Sequence, residues 1–466
     1  MSKSTRRGPE VPLGSGQVLS GDEAFGGISV TGGVGSGKTT RTGATIRDAM
    51  LRQHLGGLVL VAKPDVLDDW MDAGRACNRQ QDIVVVSCDH EACTNLIEFE
   101  FEQADEETCT HDLFAYLLTV LDGGQDRGAY TDRYWGDFLQ DLVINSIDLV
   151  IMSGTRLSLD ALVRVARGFP TDASAADSSR QYVERRQLDG KPPSVVADLI
   201  LRASVRQRDA YRQRDLALTT EYFLDVLPTM DARVRSNGIS SFTTRATPLL
   251  RSPFNRLIGD RTTLRPSECR QGKIIVLNMP IKRFGEAGRM MQMMYKTAFQ
   301  REMERHPDSG RPVFLFADEA HYFATRNDVL FAQTARSAGV VQVLMTQSIA
   351  NFHEQFGGGP LASTRAEIAL GLMATKIFLN NGCPTNNEWA SRCFGTTLTI
   401  NPSVNAGDLA GMTVGFTPQV LPAVAPGEFL SLAQDDTSEA LVLKSGRDWG
   451  NGQAYLRTRF AAPRNA

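Results

Sequence analysis

Short, continuous apolar runs recur in the first and last parts of the chain, without alternation between apolar and polar residues. Runs of this kind predict strands covered on both faces, as in a parallel sheet flanked by helices. The predicted strands are residues 25–30, 58–62, 83–87, 273–279, 312–316, 340–345, 375–379, 427–432 and 439–443. We expect the last two to pair as a hairpin at the edge of the sheet. Helical patterns separate the strands, for example over residues 40–51 and 285–305.

The middle of the chain, from about residue 106 to 250, has amphipathic helical spacing and no convincing strand. Helices are predicted over residues 134–152, 157–167, 193–214 and 219–234, and a loop over the Ser-, Ala- and Asp-rich residues 169–179. The pattern therefore predicts an α/β fold with a mainly parallel sheet, interrupted by an all-α insertion domain. The predicted boundaries are a disordered tail 1–12, a first nucleotide-binding part 13–105, the all-α domain 106–255 and a second nucleotide-binding part 256–466.

Composition adds limits to this fold. A chain of 466 residues is long enough for two or three domains, and its net charge of −3 excludes a global basic field. Any contact with nucleic acid must therefore be a local patch. The arginines between Arg202 and Arg214 alternate with aspartates, which is more typical of a solvated helix face. Seven irregularly spaced cysteines, a polar N-terminus and the lack of a long apolar run predict a cytoplasmic protein.

A phosphate-binding loop is predicted at residues 32–39, which match G-x-x-x-x-G-K-[ST] between a predicted strand and a predicted helix. In this setting backbone N–H groups and the helix dipole surround phosphate oxygens. Lys38 is expected to reach the terminal phosphates of ATP, and the Thr39 hydroxyl to hold Mg²⁺. The residues predicted to bind nucleotide are Gly32, Val34, Gly35, Ser36, Gly37, Lys38, Thr39 and Thr40.

A buried strand ending in an acidic pair, Asp318 and Glu319, predicts the second half of the site. Asp318 is expected to hold the Mg²⁺ shell, and Glu319 to orient and deprotonate the attacking water. The alternative is an acidic helix cap after a strand. Gln347 ends the next strand, where ligands of parallel sheets bind, so it is predicted to sense the γ-phosphate. Lys63 also follows a strand at the carboxyl end of the sheet, where it lies near the nucleotide or a pore, or is an ordinary solvated loop lysine.

Arg336 is predicted to lie at the amino end of the sheet, opposite the phosphate site. It ends the helix that returns from the acidic strand to the start of the next strand, about 20 Å from the phosphate site at ~3.3 Å per residue. The arginine cannot easily serve its own nucleotide, but in a ring of subunits it could complete the neighbour's site as an arginine finger. The alternative is an arginine that answers the dipole at a helix C-terminus.

These motifs together resemble the soluble motor of the coupling proteins of bacterial conjugation and type IV secretion (TraG/TraD type), within the FtsK/HerA group of RecA-like ring ATPases. The segments that carry the resemblance are 32–40, 61–65, 133–135, 317–321, 335–339 with Gln347, and 387–395. The resemblance implies a RecA-like P-loop ATPase domain interrupted by an all-α domain. It also implies catalytic roles for Glu319, Arg336 and Gln347, Mg²⁺ contacts from Thr39 and Asp318, and ATP with Mg²⁺ as cofactors.

The function implied by the resemblance is a homohexameric ring that hydrolyses ATP to translocate DNA, single- or double-stranded and sometimes protein-linked. A relaxase or another protein substrate, and a partner at the inner membrane or secretion channel, are expected to accompany it. Three alternatives remain open from the sequence: a receptor ATPase that moves proteins, a nucleotide-gated adaptor, and a translocase for DNA processing or defence. A small-molecule P-loop kinase would explain Lys38 but not Glu319, Arg336 and Gln347.

Overall fold

The computed structural model describes residues 8–104, 109–121, 133–186, 190–259, 261–307, 310–406, 412–450 and 454–462. Residues 1–7 of the predicted disordered tail lie outside these ranges, whereas Val11 and Pro12 are part of the first strand. The strands are β1 Val11–Gly14, β2 Gln17–Leu19, β3 Ile28–Thr31, β4 Gly56–Leu60, β5 Ile83–Val86, β6 Ile274–Leu277, β7 Val313–Ala317, β8 Val340–Thr346, β9 Thr375–Leu379, β10 Thr396–Ala406, β11 Met412–Pro422, β12 Thr437–Lys444 and β13 Tyr455–Ala461.

Nine of these strands form one sheet in the order β13-β12-β9-β3-β8-β7-β4-β6-β5. From β9 to β5 all neighbours are parallel, and only β12 and β13 run antiparallel at one edge. Residues alternate between two cores, since Leu58 and Leu60 of β4 face one core and Val59 and Val61 face the other. The prediction of a mainly parallel sheet covered on both faces is confirmed.

The helices that cover the sheet and form the middle of the chain have these bounds. They are α1 Gly21–Ala24, α2 Ala44–Arg52, α3 Val66–Ala76, α4 Leu96–Gln103, α5 Cys109–Leu121, α6 Arg133–Ser153, α7 Leu159–Arg167, α8 Ala173–Glu184, α9 Val195–Arg206, α10 Ala210–Glu221, α11 Leu227–Thr229, α12 Ala232–Leu250, α13 Ile281–Arg305, α14 Arg326–Thr334, α15 Ile349–Gln355, α16 Gly359–Gly371, α17 Pro384–Phe394 and α18 Glu428–Ser431. None of the helices in the described ranges is both long and apolar enough to cross a membrane.

Two predictions in the helical middle are wrong. The predicted loop at 169–179 contains the start of α8, whose N-cap residue Asp172 accepts a hydrogen bond from the Ala175 N–H at 2.9 Å. Its Ala and Ser residues allow a helix once that cap is in place. The single helix predicted over 193–214 is two helices. The chain is extended at Gln207 (ψ 115°), and Asp209 then caps α10.

The predicted edge strand at 427–432 is also wrong, because this run forms the short helix α18. Its Phe429 is buried and packs edge-on against Phe378 of β9, with 5.8 Å between ring centroids. The buried residue of this run therefore packs into an aromatic cluster, and the run does not form a strand that is covered on both faces. The edge hairpin pairs β12 with β13, and its second strand lies beyond any predicted run.

A second hairpin, β10 with β11, was not predicted. Its two strands pair over eleven positions each and form a sheet of their own. Apolar residues alternate with Thr along the first strand, and the cross-strand pair Leu398 and Val420 is exposed, as are Ile400 and Phe416. A continuous apolar run is absent from this segment, which is why the criterion for buried strands did not find it.

Candidate nucleotide site

The predicted phosphate loop connects β3 to a helix that begins with a π-helical turn, Lys38–Gly43, and continues as α2. Gly32 N–H donates to the Thr346 carbonyl of β8 at 3.2 Å, and Gly33 N–H donates to the Asn380 carbonyl after β9 at 2.8 Å. Gly35 and Gly37 have positive φ values of 76° and 79°, which glycine adopts without strain. Both neighbouring strands therefore fix the loop at the carboxyl end of the sheet.

Lys38 and Thr39 meet the acidic pair that follows β7. The Thr39 hydroxyl donates to Asp318 Oδ2 at 3.0 Å, and Lys38 Nζ lies 3.8 Å from Asp318 Oδ1. Asp318 Oδ1 also accepts the Glu319 backbone N–H at 2.9 Å, which fixes the orientation of this carboxylate. Hydroxyl and carboxylate oxygens side by side are ligands that suit Mg²⁺.

Glu319 is the centre of the site. Its Oε1 accepts hydrogen bonds from Lys38 Nζ at 3.1 Å, from Lys63 Nζ at 3.1 Å and from Gln347 Nε2 at 2.9 Å. The other oxygen, Oε2, is buried and has no hydrogen-bond partner among the described residues, and His321 Nδ1 lies 3.7 Å from it. Glu319 itself has φ 49°, a left-handed backbone that is uncommon outside glycine and that turns the chain sharply after β7.

The charges around Glu319 set its protonation. Burial raises the pKa of Glu319, but the Lys38 charge and the hydrogen bonds from Gln347 and Lys63 outweigh burial and bring the pKa to about 2. Burial lowers the pKa of His321 to about 4, although the Glu319 charge opposes this change. At neutral pH the site therefore holds an ionised carboxylate beside a neutral imidazole.

An outer layer of side chains supports these groups. Gln347 is held by Asn381, whose Nδ2 donates to the Gln347 carbonyl at 2.7 Å. His321 Nδ1 lies 3.3 Å from the Thr346 hydroxyl at the end of β8. On the other side of the loop, the Ser438 hydroxyl donates to the Ser36 carbonyl at 2.7 Å. These contacts connect the loop and the acidic pair to β8, β9 and β12.

A cavity of about 200 Å³ opens between these groups. Its lining consists of residues 33–41 together with Lys63, Glu319 and Gln347. Seven of the eight residues predicted to bind nucleotide line it, and the eighth, Gly32, lies behind the loop against β8. Asp318 also lies behind the lining, at the Thr39 hydroxyl. The structure thus brings Gln347 and Lys63 to the same cavity as the phosphate loop.

Arg336 does not lie at this cavity. It is exposed just after α14, before β8 begins. Burial lowers the pKa of Lys444, and the charge of nearby Arg336 lowers it further, which places Arg336 near the end of β12. Lys444 pairs with Thr375, the first residue of β9, whereas the phosphate loop follows the last residue of β3. Arg336 therefore lies at the amino end of the parallel strands, and the phosphate loop lies at their carboxyl end.

Comparison with known proteins agrees with this architecture. Residues 312–408 match the family described as the TraM recognition site of TraD and TraG. The unbound conjugative coupling protein TrwBdeltaN70 superposes with a TM-score of 0.62 at 14% identity, covering 99% of this chain and 91% of that one. The resemblance expected from the sequence is confirmed. The fold is that of the TrwB structures.

Two further TrwB structures carry nucleotides. The complex with ADP and Mg²⁺ has a TM-score of 0.62 at 14% identity, covering 99% of this chain and 91% of that chain. The complex with the GTP analogue GDPNP has a TM-score of 0.60 at 15% identity, covering 98% and 92%. A search of curated proteins found no match to this chain.

Sequence reasoning missed several residues of this site. His321, Asn381 and Ser438 were not predicted, and Lys63 was left between two interpretations. Residue type gives no signal for Asn381 or Ser438, because their positions depend on the order of strands in the sheet. His321 directly follows the Asp318-Glu319-Ala320 segment, so its place in the motif was the only available signal.

Proposed function

We propose that this chain is an ATPase whose nucleotide occupies the cavity between the phosphate loop and Glu319. The observation that carries this proposal is the convergence of Lys38, Lys63 and Gln347 on one oxygen of Glu319 at 2.9–3.1 Å. Three donors around an ionised carboxylate provide a ready set of partners for a phosphate oxygen. A kinase for small molecules would not need this arrangement.

The residues present fit a nucleoside triphosphate with Mg²⁺. Gly35 and Gly37 have positive φ values, as in loops that present backbone N–H groups to phosphate. The Ser36 hydroxyl is buried and has no hydrogen-bond partner among the described residues. Thr39 and Asp318 would hold the ion, which when bound would neutralise charge on the phosphate oxygens. Lys38 would exchange its contact with Glu319 for the terminal phosphates.

Glu319 would then act on the attacking water. Its Oε2, which has no hydrogen-bond partner among the described residues, would accept the proton, while Gln347 and Lys63 hold Oε1. His321, neutral beside Oε2, adds no competing charge. Orientation of the water and removal of its proton are the contributions expected of such a carboxylate.

The position of Arg336 favours a ring of subunits. It is exposed and lies at the amino end of the strands, away from the cavity at their carboxyl end. An exposed guanidinium that cannot reach its own nucleotide can serve the neighbour's γ-phosphate, as arginine fingers do. We therefore propose a homo-oligomeric ring, a hexamer by analogy with the coupling proteins, in which each active site is completed in trans.

The cargo we propose is DNA, moved sequence-tolerantly by contacts to its phosphates. The likeness to TrwB, described as a plasmid coupling protein, and the match to the TraM recognition region support this cargo over a small-molecule substrate. A protein partner that binds within residues 312–408 would connect the ring to a secretion channel or membrane. Delivery of a DNA-linked protein is compatible with the same cycle.

The deciding experiment measures ATP hydrolysis by the full chain with no addition, with single-stranded DNA, with double-stranded DNA and with a candidate protein substrate. Stimulation by either DNA is the expected result. Stimulation by a protein substrate alone would replace DNA as the cargo, and tight ATP binding without turnover under every condition would leave an adaptor. The Lys38→Ala variant, which should lose nucleotide binding, shows that the measured activity belongs to this chain.

A further inference from the structure

A second cavity lies in the helical part of the molecule, away from the nucleotide site. It has a volume of about 490 Å³ and is formed where α7 ends, α9 begins and α12 ends. Three guanidinium groups line it: Arg164 and Arg167 of α7, and Arg251 just after α12. We name it the arginine groove. Size alone puts it in the range of ligand sites.

The charge in the groove is not neutralised within the described part of the chain. Arg164, Arg167 and Arg251 are exposed, and among the described residues none of them makes an ion pair or a side-chain hydrogen bond. Asp160, one turn before Arg164, also lines the groove but forms no ion pair with the three arginines. The C-terminal ends of α7 and α12 contribute about half a negative charge each. The three positive charges of the arginines therefore exceed the charge of one carboxylate and the partial charges of two helix ends.

Helix-end capping alone does not explain this cluster. An arginine near the C-terminus of a helix commonly interacts favourably with the helix dipole. This interaction would explain the position of Arg167 alone or of Arg251 alone. Arg164 and Arg167 both lie in the last turn of α7, where two cations exceed the ~0.5 negative charge of one helix end. All three side chains border one concave surface contributed by separate helices. Convergence of cations from different elements on one groove is the pattern of an anion-binding site.

We propose that the arginine groove binds the phosphodiester backbone of DNA. This inference rests on the proposed cargo and names where the helical part contacts it. The walls between the arginines are aliphatic, including Val163, Val195 and Leu250, and none of the described aromatic residues lines the groove. Base stacking, which aromatic side chains provide, is therefore absent from this site. Guanidinium contacts to phosphates position a strand without reading its sequence.

The test compares two charge-matched variants of the full chain. One carries Arg164→Ala, Arg167→Ala and Arg251→Ala. The control carries Arg185→Ala, Arg208→Ala and Arg214→Ala, which remove three exposed arginines of the same helical part outside the groove. Binding of a labelled oligonucleotide of about 30 residues, single- or double-stranded, is measured between about 50 and 200 mM salt.

The groove variant should bind DNA at least ~10-fold more weakly than wild type, while the control changes less than about 2-fold. The slope of log K against log salt should fall by about 2 for single strands, at ~0.7 per lost contact, and by nearly 3 for duplex at ~0.9. Lysine at the three groove positions should restore most of the affinity. Unstimulated ATP hydrolysis should be unchanged in every variant, which shows that they are folded.

Equal weakening in the two alanine variants would overturn the site, because only net charge would then matter. Unchanged DNA binding in the groove variant would overturn it as well. If wild-type protein hydrolyses ATP but binds no DNA, the proposed cargo fails and the groove assignment fails with it. If an acidic peptide displaces DNA from wild type but not from the groove variant, the groove prefers carboxylates, and the phosphodiester assignment is wrong.

Discussion

Lys38 and Glu319 are 281 residues apart in the chain, and Lys38 Nζ lies 3.1 Å from Glu319 Oε1. The ammonium group expected to bind phosphate is thus paired with the carboxylate expected to activate water. Both groups are almost fully buried, so neither is satisfied by solvent. Binding of a triphosphate must replace this ion pair, and the exchange couples occupation of the cavity to release of the base.

The first prediction concerns Glu319→Gln. Glutamine keeps the size of the side chain and can still accept from Lys63 and Gln347, but it cannot take a proton from water. Nucleotide binding should be retained within about 3-fold, while kcat for ATP should fall by about 100-fold or more. Equilibrium binding of a fluorescent nucleotide and steady-state hydrolysis measure the two quantities. Glu354→Gln, on the exposed face of α15, is the matched control. Retained turnover in Glu319→Gln would remove the general-base role.

The second prediction concerns Lys63→Met. Lys63 is 42% exposed at its side chain, and its charge helps hold the pKa of Glu319 down. Its removal should raise that pKa, so the acidic limb of the kcat–pH profile should move to higher pH by about one unit. Lys63→Arg, which keeps the charge, should leave the limb in place. A Lys63→Met profile that superposes on wild type would show that Lys63 is only a solvated loop residue.

The third prediction concerns Arg336→Ala. If the arginine acts on the neighbouring subunit, the variant should bind nucleotide normally and hydrolyse it about 1000-fold more slowly. Mixed with Lys38→Ala subunits, it should regain part of the activity, because some interfaces then pair an intact cavity with an intact arginine. Arg326→Ala, at the other end of α14, provides the control for loss of charge. A mixture no more active than its components would argue against completion in trans.

The fourth prediction concerns Lys296, whose side chain is nearly fully buried beneath the segment after Glu319. Its Nζ donates to the Phe323 carbonyl at 2.7 Å and forms an ion pair with Asp328. Lys296→Met leaves the Asp328 carboxylate without its cation, so the free energy of unfolding should fall by about 3–5 kcal/mol. Adding Asp328→Asn should recover part of the loss. Denaturant titrations measure both, and a double variant less stable than the single one would contradict the buried-pair interpretation.

The strands of the central sheet could be predicted because their signal is local. Alternate residues of β4 enter two cores, and this requirement leaves a continuous apolar run in the sequence. The same criterion failed at Phe429, where an apolar run packs against Phe378 as a short helix, and at β10, where Thr residues interrupt the run. An apolar run indicates that its residues are buried, but it does not indicate whether they are buried in a strand or in a helix.

The nucleotide site was predictable to the extent that its residues sit in motifs. Lys38, Thr39 and Asp318 follow from the phosphate loop and the acidic strand. Ser438 approaches the loop only because β12 pairs with β9 and β9 pairs with β3. The arginine groove likewise depends on the packing of three helices. Contacts of this type depend on how distant strands and helices pack together, so the spacing of residues along the sequence does not predict them.

The order of strands in the sheet has a consequence for biosynthesis. Strand β3, which precedes the phosphate loop, pairs with β8 and β9, and both come from residues beyond 339. During translation the loop therefore emerges long before either of its flanking strands, whereas the helices between 133 and 259 are complete much earlier. Pairings of such sequence separation form late. Nascent chains that stop before Val340 should be unable to retain ATP, so the ligand cannot assist folding until β8 has been synthesised.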